Sequence, residues 1–98
     1  MTPEGEVQSH LKKLVKQTGG EYRKLRWIGR TGANDCFVFW PGRHTYAMIE
    51  VKRPRKAATP QQDREHARLR SAGLQVFVVD SKLSVELCVS LLVGQQNA

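Results

Sequence analysis

Residues 35–52 have the sequence DCFVFWPGRHTYAMIEVK, in which a turn signal separates two apolar runs. The first run, residues 36–40, is rich in aromatic and β-branched side chains, as is typical of a strand. Pro41 and Gly42 predict a turn, and residues 45–52 predict a second strand that pairs with the first. This stretch therefore predicts a β-hairpin, around which the other elements are placed.

Caps and hydrophobic spacing predict a helix before the hairpin. Thr2 can cap it, Pro3 suits its first position, and the two glycines of positions 19–20 end it. Its apolar residues recur at helical spacing: Val7, Leu11, Leu14 and Val15. A short extended stretch, residues 21–28, and a loop with two glycines, residues 29–34, then lead into the hairpin.

After the hairpin, Pro54 ends the second strand, because proline cannot donate a hydrogen bond within a ladder. Thr59 and Gln62 form a capping-box pattern that opens a second helix, ending near residue 72. The apolar run of residues 75–79 predicts a strand buried on both faces. Residues 80–84 lead into a last helix, whose apolar stripe is wider than one core face requires.

The predicted order is helix, strand, strand, strand, helix, strand, helix. A hairpin followed by a crossover helix and another strand gives a mixed sheet with helices on both faces, which is an α/β fold. The chain has 98 residues, so we expect one compact domain over residues 1–98.

The composition is that of a soluble globular protein, with 40% hydrophobic and 26% charged residues. No apolar run approaches the roughly 20 residues needed to span a bilayer, and the polar residues 2–9 are not a secretory signal. Cys36 and Cys88 lie in apolar stretches, so we expect them to be buried and reduced. A cytoplasmic protein without a membrane partner is expected.

The charge distribution predicts a polyanionic partner, nucleic acid before membrane. The formal net charge is +7. Between residues 22 and 62 only two acids, Asp35 and Glu50, accompany nine basic residues: Arg23, Lys24, Arg26, Arg30, Arg43, Lys52, Arg53, Arg55 and Lys56. Two carboxylates in a phosphate-attracting field would weaken binding unless a divalent cation offsets them, and such a cation also attracts phosphate.

Asp35, Glu50 and Lys52 form the constellation that predicts chemistry. Glu50 and Lys52 are two apart on a strand and share a face, whereas the side chain of Val51 points into the core. If the hairpin pairs Asp35 near Glu50, the two carboxylates and the Val51 carbonyl form an oxygen site for Mg²⁺. Lys52 would then hold a water molecule and screen the phosphate, and Glu6 of the first helix would reach the metal directly or through water.

Three short segments resemble the motifs of a known nuclease superfamily. Residues 32–35 (GAND), 49–52 (IEVK) and 59–62 (TPQQ) look like those of the PD-(D/E)xK nucleases, and more narrowly of the stand-alone VRR-NUC (virus-type replication-repair nuclease) domains. The similarity extends from about residue 4 to about residue 92. It implies a restriction-endonuclease-like αβββαβα core. Asn34 stands where that family usually has proline, which carries no metal chemistry, so we expect activity to survive.

The resemblance implies a deoxyribonuclease that depends on Mg²⁺ or Mn²⁺. Small phage and bacterial members of the family are similar to Holliday junction resolvases and act as homodimers, so the resemblance also implies a homodimer that acts in a bacterial or phage-infected host cell. The residues correspond in role as follows: Asp35 and Glu50 to the metal ligands, Lys52 to the catalytic lysine, Gln62 to the motif glutamine, and Glu6, with Glu4 as the other candidate, to the acid of the first helix.

Several of these residues also have a simpler interpretation. Glu50 and Lys52, taken alone, are more often a surface ion pair. Gln62 serves equally well as a helix cap, and Glu6 as a residue that complements the helix dipole. His66 lies one turn beyond Gln62, towards the site or DNA, but a helix-surface histidine is the favoured expectation.

Two functions therefore remain open. The first is an endonuclease that acts on branched DNA such as Holliday junctions, with phosphate contacts from Arg30, Arg53, Arg55 and Lys56. The second is a non-catalytic DNA-binding module with a nuclease-like fold, in which neighbouring arginines pair with the two acids. The presence of two acids and a lysine together favours the enzyme.

Overall fold

The structure is a computed structural model that describes residues 1–26 and 35–95. The element order confirms the predicted one: α1 (Pro3–Gln17), β1 (Glu21–Lys24), β2 (Asp35–Trp40), β3 (Thr45–Val51), α2 (Pro60–Ser71), β4 (Val76–Val79) and α3 (Lys82–Val93). The predicted loop of residues 29–34, with the proposed DNA contact Arg30, lies outside the described residues.

The four strands form one mixed sheet in the order β1-β2-β3-β4. The first three strands are antiparallel to their neighbours, and β4 runs parallel to β3. A parallel pair needs a crossover connection, and α2 supplies it. The predicted hairpin is confirmed: Trp40 pairs with Thr45 next to the turn, and Asp35 pairs with Glu50 at the other end.

One face of the sheet forms the core with α1 and α3. Alternate residues of β2 and β3 point to this face and are almost fully buried: Cys36, Val38, Trp40, Ala47, Ile49 and Val51. The stripe of α1 packs on them through Val7, Leu11 and Val15. Trp40 lies at the end of the core next to the hairpin turn, and its indole N–H donates to the Thr18 hydroxyl at 2.9 Å.

The opposite face carries Asp35 and Glu50, and α2 packs against it. A hydrogen bond of 2.7 Å from Arg70 to the Val76 carbonyl joins the end of α2 to β4. The prediction that β4 is buried on both faces is wrong at Val78, which is 37% exposed. The strand lies at the edge of the sheet, where α2 leaves part of this face open.

The last helix is apolar on its outer surface as well as its inner one. Ser81 caps it, and four residues face the core: Val85, Cys88, Val89 and Leu92. Leu83, Leu87 and Leu91 repeat at helical spacing on the outside and are 65%, 64% and 57% exposed. Within residues 1–26 and 35–95, no helix has both the length and the apolar character that a bilayer crossing requires.

The two buried cysteines give a test of this core. Cys36 and Cys88 are free thiols, and burial raises the pKa of each to about 12. The thiols stay protonated at neutral pH, and the thiolate is the reactive form. We therefore expect the native protein to react with Ellman's reagent far more slowly than the urea-unfolded protein. Rapid modification of both thiols in the native protein would contradict this packing.

Candidate active site

The hairpin brings two buried carboxylates together. Asp35 is 1% exposed and Glu50 is 0% exposed. They are direct partners across β2 and β3, so their side chains lie on the same face of the sheet. Burial of an ionised carboxylate is costly unless a cation or hydrogen-bond donors compensate it. The predicted approach of the two acids is confirmed, and it creates a strong local demand for positive charge.

Lys52 supplies part of the positive charge that the two carboxylates need. Its ammonium lies 3.0 Å from Oε2 of Glu50, and the Lys52 side chain is only 12% exposed. Its backbone N–H donates to the Val79 carbonyl at 2.8 Å, which continues the parallel ladder beyond the last strand residue. The pair is buried, so the alternative of a surface ion pair is wrong. Val51 lies between them in sequence and points into the core, as predicted.

His66 is the residue that the sequence interpretation misplaced. It is 4% exposed rather than on the helix surface, and its Nε2 lies 3.1 Å from Oε1 of Glu50. The mostly polar sequence of α2 offers no apolar stripe that would have shown which face is buried. The one available signal was the four-residue spacing from Gln62, which places both residues on the same side of the helix.

Gln62 caps its own helix. Its side-chain oxygen accepts from the Thr59 backbone N–H at 2.9 Å, and the Thr59 hydroxyl accepts from the Gln62 N–H at 3.2 Å. This reciprocal arrangement confirms the capping interpretation. It also fixes the start of α2, from which His66 reaches Glu50. A direct role of Gln62 in chemistry stays a prediction.

Glu6 lies at the start of α1, on the helix that packs against the core face. It lines a shallow depression with His10, Lys13 and Lys82. Among the described residues, no hydrogen bond or ion pair joins the Glu6 side chain to Glu50. Both Glu4 and Glu6 stand in the first turn, where acidic side chains complement the helix dipole. A metal role for either stays a prediction.

The oxygen donors fit a hard divalent cation. Within residues 1–26 and 35–95 there is no group of three or more His, Cys, Asp or Glu side chains arranged to hold a metal. Mg²⁺ does not require one, because it keeps several waters and binds proteins through one or two carboxylates. Asp35 and Glu50 supply two carboxylates, and the adjacent Val51 carbonyl is of the same donor chemistry.

A basic turn follows the site directly. The Lys56 N–H donates to the Arg53 carbonyl at 3.1 Å and closes the turn around Pro54 and Arg55. All four side chains are exposed. Arg55 has a φ of 67°, a left-handed conformation that favours glycine. A basic residue three positions after Lys52 is thus held in a conformation that costs energy.

Comparisons with known proteins agree on one family. A family model described as the VRR-NUC domain matches residues 3–83. The "Putative nuclease p44" of Acyrthosiphon pisum secondary endosymbiont phage 1 is 39% identical over 79 residues, which are 81% of this chain and 84% of that protein. A solved structure described as a VRR_NUC domain gives a TM-score of 0.80 at 40% identity, covering 92% of this chain and 97% of the other.

Proposed function

Because the chain belongs to the VRR-NUC domain family, a family of nucleases, we propose that it is a metal-dependent endonuclease that hydrolyses phosphodiester bonds of DNA. The observation that carries the proposal is the buried pair Asp35 and Glu50 with the Lys52 ammonium 3.0 Å from Glu50. A phage relative fits the cytoplasm of a phage-infected bacterium as the place of action.

Asp35, Glu50 and the Val51 carbonyl would hold Mg²⁺ or Mn²⁺. When bound, the cation supplies positive charge that activates water and stabilises the transition state at the phosphate. The Lys52 ammonium forms an ion pair with Glu50, and an ammonium has three N–H donors. Its remaining N–H groups can orient the attacking water and a phosphate oxygen. Glu6 or Glu4 would complete the site through water, and Gln62 would contact it from the start of α2.

The basic turn would hold the DNA backbone. Arg53, Arg55 and Lys56 are exposed and follow the site in sequence, and Arg30 comes five residues before Asp35 in sequence. Contacts of this kind go to phosphates and position the duplex without reading its sequence. The net charge of +7 supports long-range attraction to DNA.

We further propose that the preferred substrate is branched DNA, such as a Holliday junction, cut by a homodimer. One site cuts one strand, so a symmetric cut of a four-way junction needs two copies. The exposed leucines of α3 are the contact that we favour. The helix carries only Lys82 and Glu86 as charged residues, so two otherwise basic chains repel each other least there.

The catalytic assignment is tested by cleavage of labelled duplex, flap, single-stranded and four-way junction DNA with and without Mg²⁺ or Mn²⁺. We expect cleavage only with the cation, and a fall in rate of at least about 100-fold in Asp35→Asn and in Lys52→Ala, because each removes transition-state stabilisation. The matched control is Lys16→Ala, which removes an exposed lysine from the last turn of α1. DNA binding without cleavage by the wild type would favour the non-catalytic module instead.

The proposed DNA contact of the basic turn can be tested separately at Arg55. Glycine adopts the left-handed conformation without the steric cost of roughly 1–2 kcal/mol that a Cβ brings, so Arg55→Gly should unfold in urea no more easily than the wild type. It should nevertheless bind DNA more weakly, and the slope of log affinity against log salt concentration should fall in magnitude by about one. Arg55→Lys keeps the charge and the strained backbone, and should keep the affinity. Unchanged affinity in Arg55→Gly would exclude this contact.

The dimer proposal is tested by light scattering during gel filtration. Leu87→Lys places a charge in the centre of the exposed leucine stripe, so we expect the mass to fall from that of a dimer to that of a monomer. Gln17→Lys adds the same charge on an exposed position of α1 and should leave the mass unchanged. A wild-type monomer would contradict the homodimer, and a dimeric Leu87→Lys would place its interface elsewhere.

A further inference from the structure

We propose that His66 is a positioning residue, which holds the Glu50 carboxylate in the orientation that binds the divalent cation. The inference rests on the nuclease function proposed above, because it concerns the same site. It adds to that site a residue from α2, an element that otherwise lies outside the pairing of β2 and β3.

The geometry singles out His66 among the residues of α2. It is the only buried residue of that helix. Its contact inside the protein is polar, because Nε2 lies 3.1 Å from Oε1 of Glu50. A carboxylate that binds a cation is ionised and only accepts hydrogen bonds, so the proposed role requires the imidazole to carry a proton on Nε2. A leucine at position 66 would fill much of the same space but would leave Oε1 buried without a donor.

The two partners of Glu50 act on different oxygens. Lys52 contacts Oε2 at 3.0 Å, whereas His66 contacts Oε1. A glutamate side chain has several rotatable bonds, and contacts on both oxygens leave its carboxylate with one orientation. Oε1 has His66 as a hydrogen-bond partner, whereas Oε2 accepts no hydrogen bond within the described residues and has only the ion pair with Lys52. Oε2 is therefore the oxygen that keeps a lone pair for a cation.

His66 is better suited than Lys52 to fix that orientation. The imidazole is rigid and has a short connection to the backbone, whereas the lysine ammonium is a mobile charge on a four-carbon stem. The helix that carries His66 is itself anchored, by the capping box of Thr59 and Gln62 at its start and by the bond from Arg70 to the Val76 carbonyl at its end. Groups that orient a metal ligand in this way commonly contribute 10–100-fold to metal affinity.

A pair of amide variants of the full chain tests the inference. The amide nitrogen of His66→Gln reaches the position of Nε2, whereas that of His66→Asn stops one atom short. We expect His66→Asn to weaken Mn²⁺ binding by about 10–100-fold, measured without DNA by electron paramagnetic resonance of free Mn²⁺. His66→Gln should stay within a few-fold of the wild type. His66→Leu should behave like His66→Asn, and if it fails to fold, the amide pair decides.

The cleavage assay supplies a second readout. In His66→Asn the Mn²⁺ concentration for half-maximal cleavage should rise by about the same factor as the Mn²⁺ dissociation constant. The cleavage rate at saturating Mn²⁺ should change less. A purely structural role of His66 would lower both variants' stability without this shift. The inference is overturned if His66→Asn binds Mn²⁺ as the wild type does, or if His66→Gln loses as much affinity as His66→Asn.

Failure of the inference and failure of the proposed function are distinguishable. If the wild type binds Mn²⁺ and cuts DNA but the variants bind equally well, only the role of His66 is wrong. If the wild type neither binds Mn²⁺ nor cuts any DNA, the proposed function is wrong, and the inference is overturned with it because there is no cation to position.

Discussion

The pairing register of β2 and β3 is the constraint on which the candidate site depends. Asp35 lies opposite Glu50, and a slip by one residue would turn Glu50 into the core and bring Ile49 or Val51 to the outer face. The core prevents that slip, because it buries the alternate residues of both strands against α1 and α3. The chemistry on one face of the sheet is therefore held in place by apolar packing on the other face.

The site concentrates charge where charge is costly. Two carboxylates are buried side by side, and in the protein itself Lys52 and His66 engage both oxygens of one of them. Apolar residues would pack more simply in the same positions, and buried ion pairs often add little to stability. The proposed binding of a cation and a phosphate would explain why charged residues occupy these positions at some expense of stability.

The two faces of the sheet separate the apolar core from the candidate site. The face with α1 and α3 carries the core, and the face with α2 carries the acids, the lysine and the histidine. The basic turn after Lys52 adds exposed positive charge next to the candidate site, whereas the exposed leucines of α3 give the core side an apolar outer surface. The proposed DNA contact and the proposed dimer contact thus lie on different elements.

The sequence by itself determined the order of elements, the hairpin, the approach of Asp35 to Glu50, and the shared face of Glu50 and Lys52. These follow from local patterns, because alternation, caps and turn residues act over a few positions. Only the tertiary structure decided that the Glu50–Lys52 pair is buried, that Val78 is partly exposed, and that His66 reaches Glu50. Burial depends on which elements pack together from distant parts of the chain, and the mostly polar sequence of α2 has no apolar stripe that would reveal its buried face.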